Sequence, residues 1–270
     1  MVSLGRPEED QAAGLRRLFA RRHARIVLVA GARGGAEQAA VAVGIARELA
    51  AERQRVVIID EQAAPDNAAG ALGLAVRFDL LQALNADARP AQVVLHAEEG
   101  IRLLPAARLA RQTEALEPRQ RHALSQMLRG VQKGADFILV NASAQRSLTP
   151  LALAARYGVI AAAAGSSAAT EGYRLIKQIR QSAPAMRIGL LASRAEEGDV
   201  AACANLIEVA RAHLAVDAEL FAGAGRRHAM PALVGALLRW CRNDGAPSAQ
   251  CESAPRGHRE RPACLNPVVY

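Results

Sequence analysis

Apolar residues in this chain fall into short β-branched runs separated by longer stretches with helical spacing. Arg25 to Ala30 (RIVLVA) is a continuous apolar run, the mark of a strand covered on both faces. A glycine-bearing turn follows, Gly31-Ala32-Arg33-Gly34-Gly35, and Ala39 to Ala50 then predicts a helix. Arg55 to Asp60 (RVVIID) is a second buried strand that ends in an acid. This β–glycine loop–α–β order predicts a parallel sheet with right-handed crossovers. The alternation continues with strands over 101–104, 137–140, 159–163 and 187–192, and a last short one over 220–222. Helices are expected over 78–84, 119–132, 170–181, 199–213 and 232–242. Ahead of the first strand, residues 10–22 predict a short helix, with Leu15, Leu18 and Phe19 at helical spacing and Arg16, Arg17, Arg21 and Arg22 elsewhere on it. After Asn243 the chain is rich in Pro, Gly, Ser and Arg without a period, which predicts a disordered tail. These elements make a single doubly wound α/β domain over 25–242, preceded by a helix within 1–24 and followed by a tail over 243–270.

Composition narrows the function. The chain has 270 residues and is 51% hydrophobic, so it can bury a large core. It holds 61 alanines and 32 arginines but two lysines, Lys133 and Lys177, so any chemistry that needs a lysine must use one of these. The net charge of +8 is carried by dispersed arginines, which predicts no specific nucleic-acid site. With 3% aromatic residues, a stacking platform for single-stranded nucleic acid is excluded. No apolar run approaches the ~18 residues of a membrane span, and the start MVSLGRPEED has acids where a secretory signal has bases, so a cytoplasmic location is expected. Cys203, Cys241, Cys251 and Cys264 form no CxxC pair, and the six histidines do not cluster with acids, so no metal site is expected.

The glycine loop after the first strand is where α/β proteins cradle phosphates on backbone N–H groups and a helix N-terminus. In the usual phosphate loop a lysine and a Ser or Thr follow, for the phosphates and for Mg²⁺. Here the segment reads GARGGAEQAAVAVGIARELA. It resembles the deviant P-loop family of MinD and ParA (KGGxGK[ST]), and most of all its flagellar-number branch, FlhG or FleN. The resemblance implies a MinD/ParA-like P-loop fold, with ATP and Mg²⁺ as cofactors. It places Gly31, Arg33, Gly34, Gly35, Gln38 and Ala39 in the phosphate loop, with Arg33 at the signature lysine. Glu37 stands for a glycine, Gln38 for the phosphate lysine and Ala39 for the metal-binding hydroxyl. Gln38 carries no charge to stabilise a transferring phosphoryl group, and Ala39 offers no oxygen to a metal. Asp60-Glu61-Gln62 stands for the family's Asp-x-Asp, so Asp60 is the surviving candidate for activating water. Asn141 ends the strand that usually ends in an acid, and Ser193 stands for the base-contacting Asn. The resemblance therefore implies a pseudo-ATPase. Residue by residue, Asp60 also reads as a helix-capping or turn residue, and Gly34-Gly35 as a tight strand-to-helix turn.

Asp10-Gln11-Ala12 with Leu15-Arg16 resembles the DQAxxLR segment ahead of the P-loop domain in FlhG proteins. The resemblance implies binding to an FlhF-type signal-recognition GTPase through Asp10, Gln11, Ala12, Leu15 and Arg16, and contact with flagellar basal-body components. Gln11, Leu15 and Leu18 share one helical face, which suits a docking peptide and equally an amphipathic helix packed on its own domain. GIRLLPA over 100–106 and the helix from Thr170 to Lys177 extend the resemblance to roughly residues 9–242. The last helix, with Leu233, Leu237 and Trp240 on one face, fits either the sheet's final packing helix or a peripheral membrane contact over 230–242 at the inner face of the cell membrane. A homodimer is a further implication of the family. Two other readings stay open: an active MinD-type ATPase with a divergent loop, and a MinD-like accessory protein of a partition or cellulose-synthesis system.

Overall fold

The computed structural model describes residues 24–31, 35–142, 147–162, 166–192, 197–222 and 226–244. The expected N-terminal helix, Arg33, Gly34, Ser193 and the tail beyond Asp244 lie outside them, and Asn243, expected to begin the tail, is the last residue of a helix.

The described residues form one 8-stranded sheet in the order β3-β4-β2-β5-β1-β6-β7-β8. The strands are β1 (Arg25–Gly31), β2 (Val56–Asp60), β3 (Leu95–Glu98), β4 (Ile101–Pro105), β5 (Phe137–Asn141), β6 (Tyr157–Ala162), β7 (Arg187–Ala192) and β8 (Ala218–Phe221). All neighbours run parallel except β3 against β4. The long helices are α1 (Gly35–Ala51), α6 (Pro118–Lys133), α8 (Ser166–Ser182), α9 (Glu197–Leu214) and α10 (Arg226–Asn243). Shorter ones are α2 (Ala68–Ala71), α3 (Leu80–Leu84), α4 (Pro90–Val93), α5 (Ala107–Gln112) and α7 (Pro150–Leu153).

Successive residues of the central strands go to opposite faces, and helices cover both. Leu28, Ile59, Ile138, Val140, Ile160 and Leu190 belong to one core, which α6, α8 and α9 help to close. Val29, Ile58, Leu139, Val159 and Leu191 belong to the other, beneath α1 and α10. The β-branched runs read as strands in the sequence are therefore strands buried on both sides.

Several elements differ from expectation. β3 has no strong run because it is an edge strand whose residues alternate between half-buried and exposed. α10 begins at Arg226 and passes through Pro231, whereas the helix is expected over 232–242. Leu233, Val234, Ala236 and Leu237 on α10 are buried at 3% exposure or less. That face is committed to the core, so it is not available for the membrane contact expected over 230–242, and α10 is the final packing helix of the sheet. Among the described residues no helix is long and apolar enough to cross a membrane.

Candidate functional site

The parallel strands deliver their C-terminal ends to one edge, where open α/β sheets bind ligands. Register sets the residues there. Asn141 at the end of β5 lies level with Val29 of β1 on one side and with Asp60 of β2 on the other. Gly35 opens α1 at φ 74°, a left-handed conformation that glycine takes without Cβ strain. This fits the tight-turn reading of the double glycine. One turn later, Gln38 comes back over the end of β1.

Gln38 is 1% exposed, and its amide is fully engaged. Its Oε1 accepts from the backbone N–H of Gly31 at 2.8 Å. Its Nε2 donates to Asn141 Oδ1 at 2.8 Å, to the Ala142 carbonyl at 2.8 Å and to the Val29 carbonyl at 3.1 Å. Two hydrogens thus serve three acceptors, and no donor is left over for a phosphate. The backbone N–H of Gly31, one of the phosphate-loop residues, is also taken.

The chain of bonds runs on. Asn141 Nδ2 donates to Asp60 Oδ1 at 2.8 Å. Asp60 Oδ2 accepts from the Ala69 N–H at 3.0 Å, and its Oδ1 is 3.4 Å from the Gln62 N–H. Gln62 Nε2 donates to the Ala142 carbonyl at 2.8 Å. Next to it, Glu61 Oε1 accepts from the Thr149 hydroxyl at 2.6 Å. Asp60 therefore ties the first turn of α2 to β5, while Asn67 is the N-cap of that helix. Burial pushes the Asp60 carboxyl above its ordinary range, and the hydrogen bonds from Asn141 and the backbone oppose this.

The sequence-derived loop is thus only partly assembled as a phosphate site. Gly31, Gly35, Gln38, Ala39 and Asp60 come together with Asn141. Ala39 is wholly buried and has no group for a metal. A triphosphate with Mg²⁺ does not fit the described residues at the lysine and hydroxyl positions: Gln38 brings no charge and no spare donor, and Ala39 brings no oxygen for a metal. Among the described residues no cluster of three His, Cys, Asp or Glu could hold a metal ion. The sequence had marked Gln62 and Asn141 as departures from the family's acids, but not that they bond to each other's surroundings. Their side-chain partners lie 80 to 103 residues away along the chain.

Comparison with known proteins places this arrangement. The family profile described as an AAA domain (AAA_31) matches residues 24–190. The antiactivator FleN of Pseudomonas aeruginosa is 26% identical over 172 residues, which are 63% of this chain and 61% of FleN, less than two thirds of its length. Cobyrinic acid a,c-diamide synthase of Mycobacterium smegmatis, with bound ATP analogue and magnesium, superposes with a TM-score of 0.59 at 18% identity, covering 82% of this chain and 97% of that one. The MinC:MinD cell division complex of Aquifex aeolicus superposes with a TM-score of 0.56 at 15% identity, covering 87% and 99%. The chain belongs to the AAA domain family. Over part of its length the chain is similar to FleN, and its fold is like that of MinD.

Proposed function

We propose that this protein is a regulator of flagellar number and placement that acts by binding, with ATP hydrolysis lost. Its N-terminal helix, through Asp10, Gln11, Ala12, Leu15 and Arg16, engages an FlhF-type signal-recognition GTPase. Basal-body components are its further partners. Similarity to FleN supports the regulatory role. The observation that carries the loss of hydrolysis is Gln38, whose buried amide is bonded to β1 and β5 instead of being open to a phosphate. Catalysis of phosphoryl transfer rests on charge and positioning at that point, and a saturated neutral amide supplies neither.

A second reading, an active MinD-type ATPase, is favoured by the ATP analogue and magnesium bound to the structurally similar M. smegmatis enzyme. Calorimetry with Mg²⁺-ATP separates the two. The expected result is no heat of binding and no phosphate release; tight binding with turnover overturns the loss of hydrolysis. The partner is tested independently. Wild-type protein is expected to stimulate GTP hydrolysis by FlhF, and Gln11→Ala/Arg16→Ala to abolish the stimulation. Unchanged stimulation by that variant removes the docking role.

A further inference from the structure

Over much of the surface, arginines stand beside acids. Arg47 bonds to Glu98, Arg174 to Glu171, Arg211 to Glu208 and Asp217, and Arg239 faces Glu219. α6 departs from this. Its sequence, PRQRHALSQMLRGVQK, holds no acid. Arg119, Arg129 and Lys133 are exposed and make no ion pair or side-chain hydrogen bond among the described residues. With His122 and Gln126, also exposed, they fall at i, i+3, i+7, i+10 and i+14, the spacing that keeps side chains on one helical face. Leu124, Leu128 and Gln132 are buried on the other side. The outer residues form a straight row about 21 Å long, at the rise of an α-helix. Within it Gln126 Nε2 donates to His122 Nε2 at 2.7 Å, so the two members that are not permanent cations engage each other. Arginines that look dispersed along the sequence are thus gathered, unpaired, on one face.

A row of cations calls for an anion, and its surroundings limit which kind. No apolar anchor accompanies it: among the described residues the exposed large apolar side chains are Val76 and Val209, neither of them on α6. A lipid surface is held stably when charge is joined by an apolar or acyl anchor. A strand of duplex nucleic acid winds once around its axis in ~34 Å, so it leaves a straight row after a few phosphates. Three permanent cations neutralise about three phosphates, which leaves such binding weak at physiological salt. Glu114 and Glu117 stand just before the first turn of α6 and repel a polyanion that runs on past the row. A short acidic helix meets none of these mismatches. Its carboxylates at heptad spacing stay in step with the row, and each arginine can hold one through two parallel N–H···O bonds.

We propose that the outer face of α6 is a docking surface for an acidic α-helix of a partner protein, with Arg119, Arg129 and Lys133 each facing a carboxylate. Exposed pairs are weak singly. The face therefore sets the orientation and rate of encounter more than the affinity. It is separate from the segment proposed above to bind a GTPase, and either can fail without the other.

The test uses the full chain and a helical peptide with glutamates at the same heptad positions. In two-dimensional NMR at low salt, the peptide is expected to shift the amides of α6. It should bind roughly tenfold more tightly than a peptide of the same composition whose glutamates are spread around the helix. Arg119→Glu/Arg129→Glu/Lys133→Glu should abolish the shifts. Arg53→Glu/Lys177→Glu/Arg242→Glu, which changes the net charge equally at exposed positions elsewhere, should leave them in place. The comparison of the two peptides needs only the wild-type chain, so it stands whatever the variants do to folding. Equal binding of the two peptides, no binding at low salt, or equal weakening by the two triple variants overturns the proposal. So does duplex DNA or a phosphatidylglycerol vesicle that displaces the peptide from α6 and binds more tightly, which assigns the face to that polyanion.

Discussion

A lysine that is replaced by glutamine loses a positive charge, but Gln38 does more than leave a gap. Its amide satisfies the Gly31 N–H and joins Asn141, so the site is filled by its own side chains. Gln38→Ala would leave buried donors and acceptors without partners at a cost of ~1–3 kcal/mol for each group. Urea denaturation should therefore show a loss of a few kcal/mol, large for a polar-to-alanine change. Gln38→Lys/Ala39→Thr restores the family's residue types yet should not restore Mg²⁺-ATP hydrolysis, measured as phosphate release, because Glu37 and Asn141 remain and the Gly31 N–H loses its acceptor. Asn141→Asp is the sharper test of the network. It sets a second carboxylate against Asp60, whose carboxyl burial already raises above its ordinary 3.8. A folded pKa above the unfolded one means stability that is full below the unfolded value and is lost as pH rises through the folded one. The deficit of Asn141→Asp relative to wild type should accordingly be smallest near pH 4 and grow toward neutrality; a pH-independent deficit contradicts the network. The sequence disclosed each altered residue here, because each sits in a recognisable motif. It could not disclose that the replacements bond together, since that depends on the register of β1, β2 and β5, which brings residues 38, 60 and 141 level.

Elements were legible in proportion to how strongly burial imprints on them. The central strands are covered on both faces, so their apolar runs are unbroken and nothing else competes for them. Of the five short helices α3 alone is expected, over 78–84; the other four and β3 have four to six residues each, too few for a period to emerge. Contacts between elements depend on shape, which the pattern does not record. Gly189 on β7 is such a case: a Cβ there would lie 2.8 Å from the Phe221 ring, and that ring meets Trp240 of α10 edge-on with centroids 6.3 Å apart. Trp240 in turn stacks on Tyr157 at 6.1 Å, so the ring has nowhere to retreat. Gly189→Ala should cost ~1–3 kcal/mol as overpacking of a well-filled core. Gly44 on α1 is an instructive control. A Cβ there would lie 2.9 Å from Met230 Cε, the far end of a flexible side chain that can swing aside. Alanine also favours a helix interior by ~1 kcal/mol over glycine. Gly44→Ala should thus leave the thermal midpoint nearly unchanged while Gly189→Ala lowers it, a contrast that a single pair of melts decides.

At the scale of the molecule, the C-terminal edge of the sheet is where open α/β folds take up ligand, and here the polar groups described at that edge bond to one another. This has a thermodynamic consequence that needs no assumption about partners. A ligand that binds only the folded state stabilises it in proportion to the logarithm of its excess over Kd, ~2.7 kcal/mol at a hundredfold excess. For a domain of this size each kcal/mol raises Tm by ~2–4 °C, so a nucleotide-binding protein given 1 mM Mg²⁺-ATP against a Kd of about 10 μM would melt some 5–10 °C higher. The closed network at Gln38 predicts a shift below about 1 °C, on that same scale, with ATP, ADP or a non-hydrolysable analogue alike. Light scattering under the same conditions should show a mass that nucleotide does not change, because a site that takes up no nucleotide cannot use it to join two subunits. A rise of several degrees, or a nucleotide-dependent doubling of mass, would mean that Gln38 swings off the strand ends and that the site opens on demand.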